Sequence, residues 1–360
     1  MGSSGTMAAM DQAGDALAAV APALAFLLVG VPLAALLDEL GFFDAVAGLL
    51  AARYEQLPVL ALWVLAAATT IALNLDTTIV LLTPLYVRLA RRSGADPVPL
   101  ALIPLLLAAF ASSVLPISNL TTLIAAEQLD LSVADVAAHL ALPSLAAVAV
   151  GWLGYRRIHP TRLAARSDGP VDLRPLRLGV PLVAAILVGV TIGPSFGVEP
   201  WMVVLAADLV LVIGVRRFPW RDVPIGTAAA VGAVAAGVGA LVEPSLLDPL
   251  REATGPLATA GVTLAAAAAA NVVNNIPATL LMVDGATHPT DGVWAWLLGV
   301  NAGAVLLPLG ALANLLWLRI ARDEGIDVDL RRYARLVLPV AVPALVAAIV
   351  VQAVQVAVGG

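Results

Sequence analysis

A pair of motifs built from helix breakers and amides occurs twice in this chain, about 200 residues apart and in the same order, inside segments that are otherwise apolar. The first copy is Asn74-Leu75-Asp76-Thr77-Thr78, followed by Pro116-Ile117-Ser118-Asn119-Leu120-Thr121-Thr122-Leu123. The second is Asn274-Asn275-Ile276-Pro277-Ala278-Thr279, followed by Pro308-Leu309-Gly310-Ala311-Leu312-Ala313-Asn314-Leu315. This duplication constrains the fold strongly. Backbone that leaves the helix at membrane depth survives only where protein or a water-filled cavity surrounds it. Two related halves, each interrupted twice, are therefore expected to bring their interruptions together.

The membrane setting follows from composition. Apolar residues make up 61% of the chain and charged residues only 12%, against roughly 25% charged in a soluble domain. Apolar runs long enough to cross about 30 Å of hydrocarbon lie near 17–37, 98–126, 136–156, 178–196, 200–216, 223–243, 292–319 and 336–357. That predicts about eight crossings. Two more apolar stretches, 57–91 and 256–284, are interrupted near their centres by the Asn-rich motif and read as re-entrant hairpins.

Arginine placement gives an independent topology, because short cytoplasmic loops collect positive charge. All 19 basic residues are arginine. With both stretches re-entrant, 18 fall on one face and only Arg251 on the other. Both chain ends then face outside, the first hairpin opens from the cytoplasm and the second from the exterior. Residues 1–16 read as a cloning remnant and N-terminal tail, 17–158 as a shortened first repeat, 159–177 as a cytoplasmic linker and 178–360 as the second repeat. Segments 39–54 and 244–254 are expected as short interfacial helices.

Breaks and hairpin tips are where chemistry is expected. Asn74, Thr77, Thr78, Ser118, Asn119, Thr121, Thr122, Asn274, Asn275 and Asn314 offer neutral donors and acceptors that can replace the hydration shell of a small solute. The bland alternative is that they only pair across helices. Asp76 is the sharpest residue, since an acid at membrane depth is costly and is usually kept for proton or cation coupling; its alternative role is a hairpin-tip cap that accepts from the amides of Thr77 or Thr78. Asp208, in an apolar run, is a second buried carboxylate. Absence of cysteine removes disulfides and thiolate sites. His139, His159 and His288 lack metal-like spacing, no cofactor is expected, and no phosphate loop, nucleophile elbow or dinucleotide fingerprint points to an enzyme or to nucleic acid.

Leu36-Leu37-Asp38-Glu39-Leu40-Gly41-Phe42-Phe43, the run from Asp76 to Leu81-Leu82-Thr83-Pro84, Ser118-Asn119-Leu120, Asn274-Asn275-Ile276-Pro277 and Leu312-Ala313-Asn314-Leu315-Leu316-Trp317-Leu318 together resemble the arsenite and antimonite efflux permeases of the ion transporter superfamily. The resemblance extends from about Ala35 onward. It implies an all-α integral membrane protein of the plasma (inner) membrane, with inverted repeats, two re-entrant hairpins and two broken transmembrane helices. It further implies export of neutral arsenite or antimonite in exchange for protons. The chain departs from the family at the first tip, where Asn-Asp-Gly becomes Leu75-Asp76-Thr77, and at Ala111, Asn301 and Val305, where the family carries two acids and a lysine. Those departures leave Asp76 as nearly the sole carrier of coupling. Sodium/proton antiport is the main alternative, with a divalent anion symporter or an uncoupled channel-like protein behind it. The expected partners are a small inorganic solute, protons or sodium, and the lipid bilayer; a homodimer is left open.

Overall fold

Alanine, leucine and valine dominate the chain, and in a solvent without water the helix satisfies every backbone group within its own segment. The computed structural model describes residues 2–53, 56–160, 162–164, 171–221, 223–241, 243–284 and 286–359, and is accordingly almost entirely helical. Arg166 and part of the linker lie outside the described residues.

α1 (Gly2–Glu39) and the short α2 (Phe42–Arg53) lead to the first hairpin, α3 (Val59–Ala72) and α4 (Leu75–Arg92). α1 begins at Gly2, so the segment expected as a tail is helical backbone; alanines there keep helix propensity high. In the hairpin, the Thr70 hydroxyl donates to Thr78 at 3.0 Å and the Tyr86 hydroxyl to the Leu62 carbonyl at 2.6 Å. Partners rise in number on one arm as they fall on the other, so the arms are antiparallel about Asn74.

α5 (Pro97–Phe110) stops where Ser112, Ser113 and Pro116 interrupt the apolar run, and the chain resumes as α6 (Leu120–Gln128) after a 3-10 turn at Pro116–Ser118. α7 (Val133–Val136) and α8 (Leu142–Ile158) form one continuous rod, Val133–Ile158, through a π turn at Ala137–Ala141. Past the linker come α9 (Arg174–Ile192), α10 (Pro200–Val215), α11 (Ile225–Leu241) and the four-residue α12 (Asp248–Arg251). α13 (Pro256–Val273) and α14 (Asn275–Val283) make the second helix pair. α15 (Asp291–Ala302) and α16 (Leu312–Asp323) flank the second break, which holds two 3-10 turns, and α17 (Leu330–Gly359) closes the chain.

α1 packs on α10 and α11 on one side and on α4 on the other, while α8 lies along α17 and α13 along α15. A two-stranded antiparallel ribbon, Gln56–Pro58 with Arg162–Ala164, pins the linker beside the start of the first hairpin, Leu57 opposite Leu163. That ribbon is a small departure from an all-helical reading.

Among the described residues, five helices are long and apolar enough to cross a membrane: Ala16–Glu39, Val133–Ile158, Arg174–Phe196, Pro256–Val273 and Leu330–Val358. A sixth arises if Ile225–Leu241 and Ser245–Arg251, bent by 83°, form one span. The expected crossings 98–126 and 292–319 are each two short helices about a break, and 200–216 is one helix of 16 residues. Length and composition therefore support five or six continuous spans where the sequence suggested about eight crossings. Short helices do occupy both segments expected at the interface, as α2 and α12.

Candidate functional site

Both hairpin tips and both breaks meet at one small cavity. It is lined by Leu75 and Asn275 from the tips, by Ser112 and Asn119 from the first break, by Asn301, Ala304, Ala311 and Asn314 from the second, and by Ala108, Ala109 and Ala313. Its volume of about 10 Å³, measured as the space open to the centre of a water, is room for about one water. No charged side chain lines it.

The geometry follows from helix ends. α4, α6, α14 and α16 all start at this point, and their first amides lack carbonyl partners within the helix. Asparagine satisfies three of the four: Asn74 Oδ1 accepts from Thr77 N at 2.7 Å, Asn119 Oδ1 from Thr121 N at 3.1 Å and Asn274 Oδ1 from Ile276 N at 3.4 Å. The fourth cap is Ala311, which has no side chain to offer, so the start of α16 faces the cavity without a side-chain cap.

Side chains then tie the halves together. Asn301 Oδ1 accepts from Asn119 Nδ2 at 2.9 Å and from the Thr121 hydroxyl at 2.6 Å, while its Nδ2 donates to Thr122 Oγ1 at 3.0 Å. Asn119 Nδ2 also reaches Ser112 Oγ at 3.2 Å. Ser118 Oγ donates to the Ile71 carbonyl at 2.8 Å, fixing the first break to the first hairpin. In the second half, Asn314 Nδ2 donates to the carbonyls of Ala304 and Leu307 at 2.9 and 3.1 Å. Asn274 Nδ2 donates to Leu309 O at 3.0 Å. That last bond helps hold Asn274 at φ +78°, ψ 151°, a conformation costing a non-glycine residue on the order of 1–3 kcal/mol.

Of the residues expected from sequence, Asn119, Asn275 and Asn314 line the cavity. Asn74 and Asn274 cap helices at its edge, and Ser118, Thr121 and Thr122 brace the breaks. Thr78 is absorbed by Thr70 and by the Asn74 carbonyl, whereas the buried Thr77 hydroxyl has no hydrogen-bond partner among the described residues. Asn275 is 4% exposed and its side chain makes no hydrogen bond among the described residues. Asp76 lies on the first turn of α4, half-buried, without a hydrogen-bond partner among the described residues and outside the cavity lining. The capping role weighed for Asp76 belongs to Asn74, whose Oδ1 already holds the Thr77 amide.

Three residues at the centre were not among the expected site residues. Asn271 donates to the carbonyls of Ala267 and Gly303 at 2.7 and 2.8 Å and accepts from Leu307 N at 2.7 Å, satisfying backbone that the second break frees. Ser112 and Asn301 complete the bracing. The signal available for all three was a polar side chain inside an apolar run. No group of residues with metal-ligand geometry occurs among the described residues.

Comparison with known proteins places these features in a family context. The family model described as citrate transporter matches residues 5–302. The arsenical pump membrane protein of Escherichia coli is 26% identical over 349 residues, spanning 86% of this chain and 81% of that protein. Its counterpart in Yersinia enterocolitica is 26% identical over 350 residues, with the same shares. An uncharacterized transporter of Mycobacterium tuberculosis is 26% identical over 347 residues, again covering 86% and 81%.

Proposed function

Because the chain belongs to the citrate transporter family, we propose that it is a secondary transporter exporting a small inorganic solute, foremost arsenite or antimonite, in exchange for protons. The neutral lining of the cavity carries this reading. Asn119, Asn275, Asn301, Asn314 and Ser112 supply amide and hydroxyl groups, and no arginine or histidine is among the lining residues. A neutral trihydroxide asks for donors and acceptors in comparable number and for no counter-charge. Citrate, with three carboxylates, would have to shed water without a cation to replace it. The relatives whose names specify arsenicals point the same way.

Proton coupling rests on Asp76, a carboxyl at the hairpin tip next to Leu75 of the cavity lining. The two hairpins are read as re-entrant arms opening to opposite sides, and the halves 17–158 and 178–360 as inverted repeats that rock about the crossing. Sodium/proton antiport is the second reading, favoured by the carboxyl amid threonine and asparagine oxygens.

The test is flux into proteoliposomes under an imposed pH gradient, with arsenite, citrate and sodium compared for the native chain and Asp76→Asn. Gradient-driven arsenite accumulation, lost in Asp76→Asn, is the expected result. Citrate accumulation would overturn the solute assignment, and sodium-dependent proton movement without arsenite flux would establish antiport instead.

A further inference from the structure

Outside the crossing, one buried acid has no role in the cycle described above. Asp208 lies midway along the 16-residue α10 and is its only charged residue, flanked beyond the helix ends by Glu199 and Arg216. It is 7% exposed, and its buried Oδ1 meets no hydrogen-bond partner among the described residues.

Among the described residues, the elements most closely packed on α10 carry nothing charged along their middle stretches. They are α1, α9 and the 3-10 turn Gly193–Phe196. A Cβ on Gly189 would meet Val203, and one on Gly214 would meet Leu178. The two contacts fix α9 antiparallel to α10 and set Ala184 level with Asp208. α9 carries no titratable residue from Leu178 to Ile192, and α1 none from Ala16 to Leu37. Outside those stretches the charged positions on these elements are Arg174 and Arg177 on α9 and Asp11, Asp15, Asp38 and Glu39 on α1. An ionised carboxylate at mid-helix depth with no cation to meet it is costly, and such residues in membrane segments usually serve proton relays.

The position also connects to the crossing. α1 packs on α10 and, less extensively, on α4, and Gly30 of α1 sits against Val80 of the hairpin arm. A displacement of that arm that carries α1 with it would change what lies against Asp208.

We propose that Asp208 is a second proton-carrying residue of the transport cycle, protonated in the form described here and releasing its proton when movement of α1 against α10 admits water. The inference rests on the proton-coupled reading given above. It assigns Asp208 to the proton alone, since the solute cavity does not include it.

Two measurements on protein reconstituted in lipid bilayers decide the matter. Infrared spectra across pH should contain a protonated-carboxyl C=O band that titrates, persists in Asp76→Asn, shifts in Asp208→Glu and disappears in Asp208→Asn. In flux experiments, Asp208→Asn should retain downhill arsenite exchange while losing proton-driven accumulation, and Asp208→Glu should restore accumulation. Accumulation equal in the native chain and Asp208→Asn overturns the Asp208 role alone. No proton-driven accumulation by the native chain overturns the coupled reading and this role with it. Should Asp208→Asn fail to fold, the band in the native chain and its shift in Asp208→Glu still decide, and a spectrum unchanged by Asp208→Glu refutes the proposal.

Discussion

Asn275 and Asn301 line the same cavity yet answer to different demands. Asn301 engages Asn119, Thr121 and Thr122, so Asn301→Ala removes a buried partner from one amide and two hydroxyls. We expect a loss of about 1–3 kcal/mol in stability, read as a lower melting temperature in detergent. Asn275 Oδ1 meets no hydrogen-bond partner among the described residues, so Asn275→Ala should leave the melting temperature nearly unchanged while weakening solute binding by about tenfold, or about 1.4 kcal/mol. An Asn275 variant with native KM would remove it from the site. His159, beyond the end of the Val133–Ile158 rod, gives a pH signature: burial pulls its pKa below the ordinary value of 6.5 against the raising effect of Asp96, and its buried Nε2 has no hydrogen-bond partner among the described residues. A lowered histidine pKa means the folded form binds fewer protons than the unfolded one. Its contribution is therefore present above pH 6.5 and lost as pH falls through the folded value. Replacing His159 by Phe should flatten the melting temperature across that acid range. At this scale the sequence was legible where residues broke helices, as at Asn119 and Asn274. It was silent on division of labour, because whether an asparagine caps, braces or faces a cavity depends on neighbours up to 182 positions away.

Helices here meet closely where side chains vanish. Gly299 on α15 and Gly303, which caps that helix, lie one turn apart, and a Cβ on either would fall 2.3 Å from α13, at the Thr263 carbonyl and the Ala267 methyl respectively. Such small-xxx-small contacts let membrane helices pack backbone to backbone. Gly299→Val should therefore cost about 1–3 kcal/mol by overpacking and lower transport with it, whereas Gly261→Val, where nothing lies within 4 Å, should do neither. The lone arginine assigned to the outer face also acquires a reason. Arg251, 5% exposed, donates from Nε to the Met282 carbonyl at 2.8 Å and from Nη2 to those of Leu281 and Asp284, while Asp248 pairs with its Nη1. It closes the end of α14 by taking up the Leu281 and Met282 carbonyls of the last turn. Its exception to the charge asymmetry is structural, which a count of arginines per loop could not reveal. Element boundaries were legible where Pro and Asn interrupt apolar runs, but not at Gly2, where a polar N-terminal stretch continues α1 instead of trailing from it.

Across the whole molecule, most ion pairs among the described residues gather at one end, the Arg251–Asp248 pair being apart from them. Arg88 meets Asp38 at 2.8 Å and Glu324 at 3.3 Å, Arg91 meets Glu324 at 2.9 Å, and Arg217 meets Glu39 at 3.0 Å. These pairs join α1, α4, the end of α16 and the segment after α10, which brings Arg88, Arg91 and Arg217 onto linked elements. The ribbon between the first hairpin and the linker supports the same grouping. Each partly exposed pair contributes little alone. A double-mutant cycle of Arg88→Gln and Glu324→Gln should give a coupling of about 1 kcal/mol that shrinks with added salt. A coupling of zero would mean that Arg88 and Glu324 are neighbours without being linked. The chamber at the crossing bears on tempo as well. With space for about one water, it behaves as a shut valve, and any larger cargo must wait for packed surfaces to part. Turnover of such a machine would be paced by the opening of its own seams, so saturating it with cargo would leave the rate governed by temperature and by the lipid in which those seams must slide.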